Sequence, residues 1–136
     1  MEYRVKLTWD GETGCIAELS KQQIKVDTPS EFGGRAQGPP PEELLAASVG
    51  ACYVTTLLYF ARKTGLSLSS LTAEATCTLE RGEKGFTVSR VALRVEASSD
   101  DLEKLEKCLK LTEEYCPITR MVEKAAKLDV EVSVRR

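Results

Sequence analysis

Pro41-Glu42-Glu43-Leu44-Leu45-Ala46-Ala47-Ser48-Val49-Gly50-Ala51-Cys52 opens an apolar run that continues to Thr64 and stops at Gly65. Proline suits a first helical turn, where its missing N–H costs nothing. Glu42 and Glu43 then meet the positive end of the helix. Glycine after the last apolar turn is a stop signal. The spacing predicts one helix from Pro41 to Thr64, roughly 36 Å long at ~1.5 Å per residue. Its surface is apolar nearly all round, which one small sheet does not cover. A central helix packed on both sides follows, most simply inside a homodimer.

The segment Leu44 to Ala61 carries no formal charge, and about 18 such residues is the lower limit for a membrane-spanning helix. Ser48, Gly50, Tyr53, Thr55, Thr56 and Tyr59 keep it only moderately apolar. It is read as the buried helix of a soluble protein, with no membrane partner.

Before the helix lies a stretch without apolar periodicity, residues 27 to 41, rich in glycine and proline. Long loops of this kind in small domains are often functional. Further back, Tyr3, Val5, Leu7 and Trp9 alternate with polar residues, the pattern of a half-buried strand. A turn at Asp10 to Gly14 leads to a second strand at Cys15, Ala17 and Leu19. A third follows around Ile24 and Val26, giving an antiparallel meander. After the helix, Leu71 to Leu79 alternates as a strand, and Arg81 to Gly85 forms a hairpin turn. The returning strand slips phase near Ser89-Arg90, the mark of a bulge. Ser98-Ser99-Asp100-Asp101 caps a helix carrying Leu102, Leu105, Cys108 and Leu109. A short helix follows Cys116-Pro117, with Ile118, Met121, Val122 and Ala125 as its inner face. Val130, Val132 and Val134 form the last strand. The order is βββ-α-ββ-αα-β, an α+β fold in one domain spanning 1–136.

Composition narrows the chemistry. The chain has 136 residues, 42% hydrophobic and 29% charged, with a net charge of −2. Its charges are interspersed, without the clustered Lys and Arg that nucleic-acid binding relies on. It contains no histidine. That excludes histidine metal sites, Ser–His triads and histidine bases. Five cysteines remain. An odd number, with no secretory pattern ahead of them, favours reduced thiols in a cytoplasm over a disulfide framework. None is spaced as Cys-x-x-Cys, so no metal site is expected.

Cys116 has the clearest local reason to be reactive. It precedes Pro117 and so falls at a helix N-cap, where partial positive charge favours thiolate. Arg120 adds a cation one turn on. A small residue tolerated at a turn explains it equally well. Cys52 lies mid-helix, where burial alone makes a thiol inert, and locally it looks like core. As a nucleophile it needs a cation from elsewhere. Arg35 is available in the loop, and Glu42 can hold a guanidinium through a bidentate pair. Cys15, Cys77 and Cys108 fall at inward positions and read as core.

Two motifs together resemble the OsmC/Ohr family. One is Gly38-Pro39-Pro40-Pro41-Glu42-Glu43-Leu44, followed by Cys52 ten residues after Glu42. The other is Tyr115-Cys116-Pro117-Ile118-Thr119. The element order is also similar to the family's, so the resemblance covers the whole chain. It implies an intertwined homodimer with two active sites at its interface. It implies that Cys52 is the peroxidatic thiolate, Cys116 the resolving thiol, and Glu42 the residue orienting an arginine against Cys52. Arg35 matches the arginine before the helix. Pro39 and Pro40 stand where the family more often has Thr-Asn, which bears on substrate preference.

The implied chemistry is reduction of hydroperoxides through a Cys52 sulfenic acid and a Cys52–Cys116 disulfide. An external dithiol or lipoyl-type reductant would reopen it. No cofactor is required. Two alternatives stay open: a dimeric module binding a small apolar molecule without turnover, and a redox sensor.

Overall fold

The computed structural model describes residues 1–136. It is an α+β fold with two three-stranded sheets and three α-helices, in the expected βββ-α-ββ-αα-β order. The chain divides into two compact units, Met1–Leu44 and Leu45–Arg136.

In the first unit, β1 (Lys6–Trp9), β2 (Gly14–Glu18) and β3 (Gln23–Asp27) form an antiparallel meander in sequence order. The turn between β1 and β2 is built on Asp10. Its Oδ1 accepts the N–H groups of Glu12 and Gly14 at 2.8 and 3.2 Å. Its Oδ2 pairs with Lys25 Nζ at 2.8 Å. The alternation in β1 was expected to mark a half-buried strand, and here the structure differs. Tyr3 and Val5 precede the strand, and Trp9 is 72% exposed. Period-two patterning gives the strand its two faces, but it does not supply the surface that covers one of them.

Between β3 and the long helix, the chain makes a short 3-10 turn (Ser30–Phe32) that Gly33 closes at φ 80°. Helix α1 then runs Pro41–Thr64, with the predicted boundaries. Gly65 takes φ 73°, and the Leu66 N–H reaches back to the Ala61 carbonyl at 2.8 Å. That left-handed residue and backward bond satisfy the last carbonyls of the helix.

In the second unit, β4 (Ser70–Gly82) pairs antiparallel with β5 (Gly85–Ser98), and β5 pairs parallel with β6 (Lys127–Arg135). The parallel pair needs a crossover, supplied by α2 (Leu102–Tyr115) and α3 (Pro117–Val122). Asp101 caps α2 by accepting the Lys104 N–H at 3.0 Å. The register steps from Thr78↔Arg90 to Leu79↔Val88, leaving Ser89 as the extra residue of a bulge. That is the phase slip visible in the sequence. After it, Val91, Leu93, Val95 and Ala97 all face the core. They pack with Val49, Tyr53, Leu57 and Ala61 of α1 and Leu105 and Cys108 of α2. Burying each large side chain contributes about 1.5–3 kcal/mol.

Helix α1 is long and apolar enough to cross a membrane by length and composition. Its Val49, Tyr53 and Leu57 nonetheless lie in this protein core. Two expectations for the last helix fail. Met121 is 59% exposed, and Ala125 lies beyond the end of α3 and is exposed. Thr119 takes the inner position instead, with Val122. The helix is too short to repeat an apolar face, and the Thr119 hydroxyl donates to the Cys116 carbonyl at 3.2 Å. Of the three cysteines read as core, Cys108 is fully buried, while Cys15 and Cys77 are half-buried.

Candidate active site

Cys116 sits where α2 ends and α3 begins. Its N–H donates to the Thr112 carbonyl at 2.9 Å, and its carbonyl accepts from Arg120 N–H at 3.2 Å. It is the N-cap of α3, with Pro117 at the first helical position, as expected. Proline pushes the residue before it to extended backbone, and Cys116 has φ −67° and ψ 112°. Cys52 is half-buried in the middle of α1. The two sulfurs lie 2.9 Å apart.

At that distance each thiol affects the ionisation of the other, and the surrounding groups decide which ionises more readily. Burial pushes the Cys52 thiol up, and the neighbouring Cys116 adds to this; the Ile118 N–H and the Thr56 hydroxyl pull weakly the other way. Thr56 Oγ1 stands 4.0 Å from the Cys52 sulfur. Burial also opposes a charged Cys116. There the Cys52 thiol and the hydroxyl and N–H of Thr119 outweigh it, and Cys116 is held below the ordinary thiol value. The Cys116 sulfur makes no capping hydrogen bond of standard geometry, so the Thr119 groups act on it as nearby dipoles. Of the two thiols, Cys116 is therefore the easier to ionise. Burial distinguishes the two residues in the other sense: Cys116 is completely buried and Cys52 is half-buried.

Tyr53, next to Cys52 on α1, is also buried, and its hydroxyl has no hydrogen-bond partner. Burial raises its pKa above the ordinary range, reinforced by the charges of Glu113 and Cys116.

The structure thus brings together the two cysteines, from positions distant in the chain. Arg35 and Glu42 both belong to the first unit. Arg35 is exposed on the loop, and Glu42 is half-buried in the first turn of α1. None of the chain's ion pairs joins them. Arg120 is exposed on α3. Sequence reasoning missed Thr56, Thr119 and the Ile118 N–H beside the sulfurs. Thr56 follows Cys52 by one helical turn, and Thr119 is part of the Cys-Pro-Ile-Thr motif, so both positions carried a signal. The Ile118 N–H carried none, because backbone donors have no sequence signature.

Known proteins resemble this chain throughout its length. The family described as OsmC-like protein matches residues 33–131. The chain is 26% identical to the uncharacterized protein YmaD of Bacillus subtilis, over 98% of this chain and 94% of that protein. It is 24% identical to the peroxiredoxin OsmC of Escherichia coli, over 91% and 92%. Among solved structures, an OsmC-like protein from Mycoplasma pneumoniae superposes with a TM-score of 0.86 at 18% identity, covering 100% of this chain and 99% of that one. An organic hydroperoxide resistance protein OsmC from Legionella pneumophila gives 0.76 at 23%, covering 100% and 98%. At these identities the superpositions establish the fold.

Proposed function

The chain belongs to the OsmC-like protein family, and from that premise we propose that it is a cysteine-based peroxidase reducing organic hydroperoxides and hydrogen peroxide. The observation that carries this reading is the 2.9 Å approach of the Cys52 and Cys116 sulfurs. A pocket that only binds an apolar molecule has no need of two meeting thiols.

In this reading the Cys52 thiolate attacks the distal oxygen of ROOH. The O–O bond breaks, Cys52 becomes a sulfenic acid, and the leaving alkoxide takes a proton to depart as ROH. Cys116 then attacks the Cys52 sulfur, water leaves, and a disulfide forms. An external dithiol or lipoyl-type reductant restores both thiols by exchange. Exposure supports Cys52 as the attacker, since a peroxide must reach it. Its thiol, however, is the harder of the two to ionise. A cation is therefore required, and Arg35 is assigned that role, with Glu42 orienting the guanidinium. The guanidinium also stabilises charge developing on the peroxide oxygens.

A homodimer is part of the proposal. The exposed Ala51, Thr55, Leu58 and Tyr59 of α1 support it, as residues a second copy would cover. A cytoplasmic location fits a pair that must be re-reduced.

A second reading, with Cys116 as the attacker, draws on its lowered pKa. Single-turnover oxidation with tert-butyl hydroperoxide separates the two. Cys52→Ser should abolish peroxide consumption, while Cys116→Ser should still consume one equivalent and accumulate a sulfenic acid. The reverse pattern assigns the attack to Cys116. Full consumption by both variants removes the cysteine pair from the activity, and no consumption by the wild-type chain leaves a non-catalytic binding or sensing protein.

A further inference from the structure

Three successive backbone N–H groups in the loop are each held by a different acceptor. Arg35 N–H donates to Thr13 Oγ1 at 3.1 Å. Ala36 N–H donates to the Thr28 carbonyl at 3.1 Å. Gln37 N–H donates to Asp27 Oδ2 at 3.0 Å. The acceptors are themselves tied together. The Thr13 hydroxyl donates to Asp27 Oδ1 at 2.7 Å, and the Thr28 N–H reaches the same oxygen at 2.8 Å. The Thr28 hydroxyl donates to the Thr13 carbonyl at 2.9 Å. Asp27 is only 2% exposed, so this carboxylate is spent inside the unit on the loop.

The loop is also pressed against its support. A Cβ at Gly34 would collide with the Thr28 carbonyl, and one at Gly38 with the Lys25 carbonyl. Between them Ala36 takes φ 51°, a left-handed conformation that alanine rarely adopts. Such backbone persists only where its surroundings over-determine it. A loop that merely joins β3 to α1 needs none of this. The restraint centres on residues 35 to 37, and Arg35 is the one charged side chain among them.

We propose that Thr13 and Asp27 are positioning residues for Arg35: the hydroxyl–carboxylate pair fixes the backbone from which the guanidinium projects, and through it the reactivity of Cys52. The inference rests on the reading above in which Arg35 serves Cys52, in its own chain or in a second copy. Thr13 is suited to the task because its hydroxyl accepts from Arg35 and donates to Asp27 at once. Serine keeps both functions and valine has neither. Asparagine at position 27 turns an NH2 toward at least one of three donors, so at least one bond is lost.

The test uses the full chain and single-turnover oxidation of Cys52 by tert-butyl hydroperoxide, followed as a function of pH, in Thr13→Val, Thr13→Ser, Asp27→Asn, Arg35→Ala and the Thr13→Val/Arg35→Ala double variant. Thr13→Val and Asp27→Asn should slow oxidation about tenfold or more, the scale of a misplaced catalytic group. The pH at which Cys52 becomes reactive should rise in both. Thr13→Ser should recover most of the rate. Adding Thr13→Val to Arg35→Ala should cost nothing further. A Thr13→Val rate within about twofold of wild type, or an equal loss in the Arg35→Ala background, overturns the positioning role. A wild-type rate in Arg35→Ala removes the parent reading instead, and this inference with it. Should Thr13→Val and Asp27→Asn fail to fold, hydrogen exchange on the wild-type chain decides. The Arg35, Ala36 and Gln37 amides should be protected, and fast exchange at all three overturns the clamp.

Discussion

The cysteine pair and the arginine loop are held by opposite kinds of force. Around the sulfurs the support is apolar: Val49, Tyr53 and Leu57 on α1 pack with β5 and α2. Around Arg35 the support is polar, an array of hydrogen bonds centred on Asp27 and Thr13. Packing has many contributors of similar size and tolerates small changes. A hydrogen-bond array has few members, and each missing one leaves a partner unsatisfied. The two regions should therefore respond differently to mutation and to acid.

The largest effect tests whether the apolar region carries the chemistry at all. Cys52→Ser should reduce peroxide consumption to the uncatalysed background, and Cys116→Ser should leave one turnover. Leu57→Ala comes next. It opens a cavity under the helix that bears Cys52 and should cost about 2–5 kcal/mol in a urea melt. A loss below 1 kcal/mol would mean that α1 is not seated as described. Tyr53→Phe should move stability the other way, by about 1 kcal/mol, because it removes a buried hydroxyl that has no partner. A destabilised variant would reveal a partner for that hydroxyl.

Acid separates the regions more finely. The Lys25 ammonium and the Glu12 N–H hold Asp10 at about 2, below its ordinary 3.8, and burial opposes them only in part. The folded value is depressed, so its contribution is fully present above about 3.8 and is lost as pH falls through about 2. Asp27 is depressed as well, chiefly by the Thr13 hydroxyl and the Gln37 N–H. Trp9 is the only tryptophan, and its indole N–H donates to the Glu12 carbonyl at 2.9 Å beside Asp10. Its fluorescence should change in the acid range before the far-UV signal of the helices. Simultaneous loss of both signals would remove the distinction between the two regions.

Much of this was legible in the residues. Helix α1 could be bounded to the residue because proline, two glutamates and glycine mark its ends. The bulge at Ser89 followed from a slip in alternation. The exposed face of β1 and the outward turn of Met121 did not follow, because pattern gives an element its faces and not its neighbours. At the site, motif and cap chemistry singled out Cys116 and Cys52. Nothing local identified Asp27 or Thr13, since an aspartate at a strand end and a threonine in a turn are ordinary there.

The sequence alone determined the elements, their order and the residue types available for chemistry, because helix ends, alternation and the absence of histidine are local properties. Only the tertiary structure decided that the two sulfurs meet at 2.9 Å, that Cys116 is buried while Cys52 is half-buried, and that the Thr13 hydroxyl, bound to a buried carboxylate, holds the Arg35 N–H. Those are contacts between segments far apart in the chain. Their geometry is set by how helices and strands pack, which no local pattern encodes.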